Sequence, residues 1–279
     1  MKTACIAILS LALSISAFSR EKFSFMQEFH GSWDGLIFFM HKDTAYKARY
    51  FIETNVSARI AMAGYDNRAF FFLEYKVKTG LGRQSDIVIF DPRDIAFASN
   101  PVFEYRFKKV RAQAGLDHSC LHDIDRDDHK TEYWNEFFLS ACSPNYLLEE
   151  FRPYILSHPL ATPFERTSWY AMYGYFSKDF FGLANPSAIS GGHTLQHEFS
   201  AGAGYSPGKT GPVIVNARLG IRVLVDEAGH AYQTCTPELE CHMAPGTYGF
   251  MFFLKYNALD QSPVRPRDGL LELGIRGYL

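Results

Sequence analysis

The stretch VIVNARLGIRVLV, Val213–Val225, decides the fold. Read with period two, one face takes Val213, Val215, Ala217, Leu219, Ile221, Val223 and Val225, while the other includes Asn216, Arg218, Gly220 and Arg222. Side chains alternate across a β-strand, so this is a long strand, apolar on one side and charged at its middle on the other. The same pattern recurs on both sides of it. Arg68, Phe70, Phe72, Glu74, Lys76 and Lys78 oppose Ala69, Phe71, Leu73, Tyr75 and Val77. Leu195, Phe199, Ala201 and Ala203 oppose Gln196, Glu198, Ser200 and Gly202. Tyr248, Phe250, Phe252 and Leu254 share a face, and in the last strand Leu271, Leu273, Ile275 and Leu279 oppose Glu272, Arg276 and Tyr278.

Strands of this length with an apolar face and a charged, glycine-containing face fit a transmembrane β-barrel, apolar towards lipid and polar in the lumen. A secreted soluble sandwich also alternates. The long apolar faces, the mid-strand charges opposite them and a chain that ends within a strand favour the membrane. The expected fold is therefore all-β, a transmembrane antiparallel β-barrel of about twelve strands. They are read at 32–40, 45–64, 67–80, 100–107, 110–121, 133–143, 147–156, 167–178, 193–204, 211–225, 245–257 and 268–279. Tight links at Asp66–Asn67, Lys108–Lys109 and Ser143–Asn145 alternate with longer loops. The short link near Pro207–Gly211 and the long segment Asp226–Ala244 break that alternation.

The N-terminal MKTACIAILSLALSISAFSR has one Lys, a short apolar run from Ala4 to Leu13 and small residues at Ala17 and Ser19. It reads as a cleaved signal peptide over 1–19, leaving 20–279 as one outer-membrane barrel in a bacterial envelope. No later apolar run reaches the ~18 residues of a spanning helix. The 279-residue chain has a net charge of −2 and no basic stripe, which gives no indication of nucleic-acid binding. Cys235 and Cys241 lie within AYQTCTPELECHM and form a disulfide candidate in an oxidising compartment.

The functional signal is in Arg111–Cys142, RAQAGLDHSCLH, then DIDRDDHKTE, then YWNEFFLSAC. By period two, His118, Cys120 and His122 share an apolar face with Ala112, Ala114 and Leu116, and Asn135 shares one with Phe137, Leu139 and Ala141. With His118 beside Asn135, Cys142 falls opposite Arg111, too far from Cys120 for a disulfide, whose Cα atoms lie within ~7 Å. If these faces meet lipid, three polar groups stand where burial in hydrocarbon is costly unless they lie near the interface. The acidic loop is expected outside, which puts them at the outer rim. His118 and Cys120 are two residues apart, ~6.5–7 Å along a strand. Asn135 across the pair completes the logic of a nucleophile, a base and an orienter. A soft-metal site on His118, Cys120 and His122 is a competing reading, but the outer two are ~13 Å apart and cannot share one ion. A rim of interfacial polar residues without chemistry is the third. Asp117 and Glu136 read as lumen charges alongside Arg111, and His197 as a structural residue near a rim.

The hairpin resembles the outer membrane phospholipase A family, twelve-stranded barrels whose catalytic groups face lipid at the outer rim. The family motif His-x-Ser-Asn-Gly followed by Trp-Asn is echoed by His118-x-Cys120 and Trp134-Asn135, with Gly115-Leu116-Asp117-His118 as lead-in. Cys120 stands where the family has Ser, and Leu121-His122 replaces Asn-Gly. The resemblance implies an acyl hydrolase acting on phospholipid esters, with Cys120 as nucleophile, His118 as base and Asn135 as orienter. It also implies a homodimer and calcium, for which Asp123, Asp125, Asp127 and Asp128 offer oxygens without a known loop spacing. The alternative is a non-enzymatic outer-membrane barrel, a narrow pore or structural protein, including a relative that has lost activity.

Overall fold

The computed structural model describes residues 22–39, 49–82, 91–125, 131–144, 166–177, 179–180, 183–184, 194–243 and 249–278. Twelve long strands form one closed antiparallel sheet. They are β1 (Phe29–Phe39), β2 (Ile52–Tyr65), β3 (Ala69–Gly82), β4 (Asp91–Arg106), β5 (Arg111–Asp123) and β6 (Thr131–Cys142). β7 (Thr167–Phe176), β8 (Leu195–Tyr205), β9 (Val213–Asp226), β10 (Ala231–Met243), β11 (Gly249–Tyr256) and β12 (Leu271–Tyr278) complete it. Each strand pairs with its neighbour in sequence, and β12 pairs with β1 from Leu271↔Phe39 to Tyr278↔Ser32, which closes the barrel. Closure leaves no unpaired sheet edge.

The barrel is apolar outside and charged inside. Outward positions such as Leu73, Tyr75, Phe103, Leu139, Phe199, Leu219 and Ile221 are exposed, whereas Glu53, Arg59, Glu74, Lys76, Glu104, Glu240, Lys255, Glu272 and Arg276 are buried in the lumen. That inversion of the soluble pattern is what hydrocarbon outside and a polar interior require. Trp33, Tyr65, Tyr105, Phe107, Trp169 and Tyr205 are exposed towards the end that carries the 66–68 and 107–110 links, in the manner of an interfacial aromatic girdle.

The lumen is filled rather than open. Arg59 pairs with Glu74 at 2.9 Å and Glu104 at 2.8 Å. Arg267 bridges Glu53 at 2.6 Å and Glu272 at 3.1 Å, and Arg276 meets Asp34 at 3.2 Å. Arg218 and His242 both bind Glu240, and Arg222 binds Glu198 at 2.6 Å. Ala61, Phe70, Phe72, Val102, Phe138 and Met172 pack together inside as well. The link 257–270 folds into the other mouth, where Asp260 accepts the backbone N–H groups of Ser262 and Arg267. A cavity of about 80 Å³ remains, lined in part by Lys76, Lys78, Ser119, Trp134 and Arg267.

Twelve strands agree with the expectation, but their identities differ in two places. Ala231–Met243 is a strand, paired along its whole length with β9, from Val213↔Met243 to Val225↔Ala231. Pro237 hides it from a sequence reading. The ladder to β11 starts only at Glu238↔Lys255 and resumes at Cys235↔Leu259, so a residue without an N–H falls where the bonds are already interrupted. β6 pairs directly with β7, and 143–166 is a single connection, so the wall closes without a strand at 147–156, a segment that lies outside the described residues. With these two changes the Pro207–Gly211 link falls on the 66–68 end and the turn after Asp226 on the opposite end, so successive connections alternate between the two ends. β4 also begins nine residues earlier than read, at Asp91.

The Cys235–Cys241 disulfide is overturned. Both thiols are free and lie on the one extended strand β10, six residues apart, ~20 Å at ~3.3 Å per residue. The signal-peptide segment 1–19 lies outside the described residues, as do Asp127 and Asp128.

Candidate functional site at the hairpin rim

β5 and β6 are set by what they bury. Asp117, Ser119 and Leu121 of β5 are buried on the lumen side, and Ser119 Oγ donates to Asp117 at 2.5 Å. On β6, Trp134 packs against the cluster of Phe176, Leu195 and Leu224, and Glu136 is buried in the lumen. Asp117 and Glu136 are therefore lumen groups, as their alternation predicts. Period two then turns His118, Cys120 and His122 outward on β5, and Asn135 outward on β6 beside exposed Phe137 and Leu139.

The register places His118 directly opposite Asn135, Cys120 opposite Tyr133, and His122 opposite Thr131. His118 Nδ1 lies 2.6 Å from Asn135 Oδ1. An amide oxygen only accepts, so Nδ1 donates to it, which in the neutral ring leaves the lone pair on Nε2. His118 is exposed, while Asn135, though on the outward face, is only 5% exposed. Arg111 pairs with Cys142, as the register argument anticipates, which leaves Cys120 without a disulfide partner.

Cys120 has a different imidazole partner from the one the spacing suggests. Its Sγ lies 3.2 Å from His122 Nε2, and His122 Nδ1 lies 2.9 Å from Thr131 Oγ1. The Phe97 ring of β4 meets the His122 ring edge-on, with centroids 5.9 Å apart. The sequence offers His122 as a metal ligand or an interfacial rim residue, not as a base, and gives Thr131 no role. Spacing alone could not choose, because His118 and His122 are equally distant from Cys120 along the strand. His197 stands apart on β8, hydrogen-bonded through Nδ1 to Tyr173 Oη at 3.0 Å and packed beside Tyr175.

Asp123, at the end of β5, and Asp125 beyond it do not fit a calcium site. Arg49 binds Asp123 at 2.7 Å and Asp125 at 2.8 Å, and Arg93 takes the other oxygen of Asp125 at 3.1 Å. Both carboxylates are neutralised by guanidinium, where a hard cation needs their oxygens free. Among the described residues no group of three or more His, Cys, Asp or Glu is arranged to hold a metal.

No protein-family model matches the chain. No curated protein is similar to it in sequence. Among solved structures, it is similar to the Salmonella typhi outer membrane phospholipase dimer with bound calcium, with a TM-score of 0.50, 10% identity and 90% of each chain covered. It is also similar to outer membrane phospholipase A from Escherichia coli, with a TM-score of 0.48, 10% identity and coverage of 90% of this chain and 92% of that one. An outer membrane channel from Pseudomonas putida F1 gives a TM-score of 0.49, 10% identity and coverage of 90% and 94%. At 10% identity the likeness to the Salmonella protein shows the fold, a closed antiparallel barrel of the outer-membrane kind, and not the activity.

Proposed function

We propose that the protein is a bacterial outer-membrane acyl hydrolase that attacks phospholipid esters from the lipid-facing rim of its fifth and sixth strands. Cys120 is the nucleophile, His118 a general base and Asn135 its orienter. The observation that carries this reading is the 2.6 Å contact of His118 Nδ1 with Asn135 Oδ1, on an outward face that also bears Cys120 two residues on. A bare apolar rim needs no such groups, and placing them there costs free energy.

The chemistry is acyl transfer. The Cys120 sulfur attacks the ester carbonyl carbon, the lysophospholipid leaves, and water then attacks the thioester. Asn135 holds His118 with Nε2 towards the reacting atoms, a role that needs an acceptor at Nδ1 and no charge. The Salmonella neighbour is a phospholipase crystallised as a dimer with calcium. A second copy of this chain is accordingly the proposed partner, alongside the lipid substrate. Calcium is not proposed to act through Asp123 or Asp125, which their arginine partners already neutralise. The packed lumen weighs against the alternative of a pore.

The test is fatty-acid release from phosphatidylcholine in mixed micelles by the purified barrel. Release by the wild type and its loss in Cys120→Ala would support the reading. No turnover by the wild type, with or without added calcium, would refute it.

A further inference from the structure

We propose that His122, rather than His118, takes the proton of Cys120, with Thr131 as its positioning residue, an inference that rests on the acyl-transfer reading above. The sulfur lies 3.2 Å from His122 Nε2, whereas its partner in the expected triad, His118, is engaged with Asn135. An imidazole nitrogen accepts a thiol proton only if its other nitrogen carries the hydrogen. The structure allows that condition, because Thr131 Oγ1 lies 2.9 Å from His122 Nδ1 and can accept from it.

The two histidines thus share one construction. Each is held through Nδ1 by the polar residue directly opposite it on β6, Asn135 for His118 and Thr131 for His122, and each presents Nε2. Cys120 lies between them on the same face. A thiol among apolar neighbours resists ionising by itself, so an adjacent acceptor is needed for it to act as a nucleophile. The other groups that the register brings to Cys120 from β4 and β6 are hydroxyls and apolar side chains, which are not bases. β4 contributes Phe97 with Ile95 and Ser99 on that face, and β6 contributes Tyr133 beside Thr131.

Two imidazoles divide the reaction into its halves. As the Cys120 sulfur bonds to the ester carbonyl carbon, its proton passes to His122 Nε2. The tetrahedral adduct collapses, the C–O bond breaks, and the departing lysophospholipid oxygen takes that proton, leaving a thioester and neutral His122. Water then attacks the thioester carbon while His118 Nε2 takes its proton. The C–S bond breaks, the fatty acid leaves, and the His118 proton returns to the thiolate.

The test uses full-length protein in detergent micelles, alkylated with iodoacetamide and read at Cys120 by peptide mass spectrometry across pH. In the wild type the rate is expected to inflect with pH as the acceptor of the thiol proton becomes available. His122→Ala removes the inflection and slows alkylation at neutral pH about tenfold, whereas His118→Ala stays within about twofold. Thr131→Val shifts the midpoint and Thr131→Ser restores it, which a purely structural role would not do. Circular dichroism checks that each variant remains a β-barrel, and Thr131→Val carries the test if His122→Ala does not fold. An unchanged profile in the folded His122 variant, or loss of the inflection only in His118→Ala, overturns the proposal. The micelle assay separates the two claims. A His122-dependent profile without fatty-acid release sinks the hydrolase and leaves the proton assignment standing. Undiminished release by His122→Ala sinks the assignment alone.

Discussion

Replacing Arg59 by methionine should destabilise the folded barrel by about 3 kcal/mol, the scale expected when one partner of a buried ion pair is removed. Arg59 is 2% exposed and its Nη2 donates to Glu104 at 2.8 Å. Its Nε faces Glu74 at 2.9 Å as an ion pair that lacks hydrogen-bond alignment, and its guanidinium lies over the Phe72 ring at 3.7 Å. The charge-assisted hydrogen bond contributes about 1.5–3 kcal/mol and the ring contact about 0.5–2. Part of the loss is recovered, because Glu104 keeps Arg106 and Gln113 as partners. Arg49 serves as the control: it is 17% exposed and its pairs with Asp123 and Asp125 sit at the barrel mouth. Its replacement by methionine should cost no more than about 1 kcal/mol. Urea unfolding from detergent micelles, followed by the fluorescence of the three tryptophans, measures both. An Arg59→Met barrel within about 0.5 kcal/mol of wild type, the spread of ordinary surface substitutions, would refute the packed-lumen account.

Three further outcomes are expected. Asn135→Ala should lower kcat about ten- to a hundredfold and KM with it, leaving kcat/KM little changed, since the lost hydrogen bond orients the base of the deacylation half; steady-state kinetics on micellar phospholipid checks this. The barrel should give no discrete conductance steps in planar bilayers, because Arg59, Arg267, Arg276 and their carboxylates fill the lumen; regular openings would contradict that packing. Fatty-acid release should stay within about twofold on adding a calcium chelator, given the guanidinium partners of Asp123 and Asp125, and loss of activity reversed by calcium would contradict this.

Much of the barrel is legible in its side-chain period. Val213–Val225 announces both faces of β9, and one alignment, His118 with Asn135, correctly sets Cys142 opposite Arg111. β10 was hidden because its outward face reads Cys235, Pro237, Leu239, Cys241 and Met243 and its inward face Thr234, Thr236, Glu238, Glu240 and His242, a weak contrast interrupted by a proline. Two cysteines in such a stretch suggest a bridged loop until pairing with β9 extends the backbone between them. The start of β4 is obscured by Asp91, Pro92, Arg93 and Asp94, which resemble a loop, although Asp91, Arg93 and Asp94 meet ionic partners at the barrel mouth. At the site, alternation predicts which residues face out and which stand opposite each other. It carries no information on side-chain rotation, and rotation is what gives Cys120 to His122.

The most direct test of the central claim is whether Cys120 carries an acyl group during turnover. Wild-type and His118→Ala barrels are mixed with phospholipid, quenched in acid and analysed for hydroxylamine-labile acyl adducts by peptide mass spectrometry. The account predicts a fatty-acyl thioester on Cys120 and on no other cysteine, accumulating further in His118→Ala, where water attack is slowed. Fatty acid released with no adduct on Cys120, or released undiminished by Cys120→Ala, would contradict it.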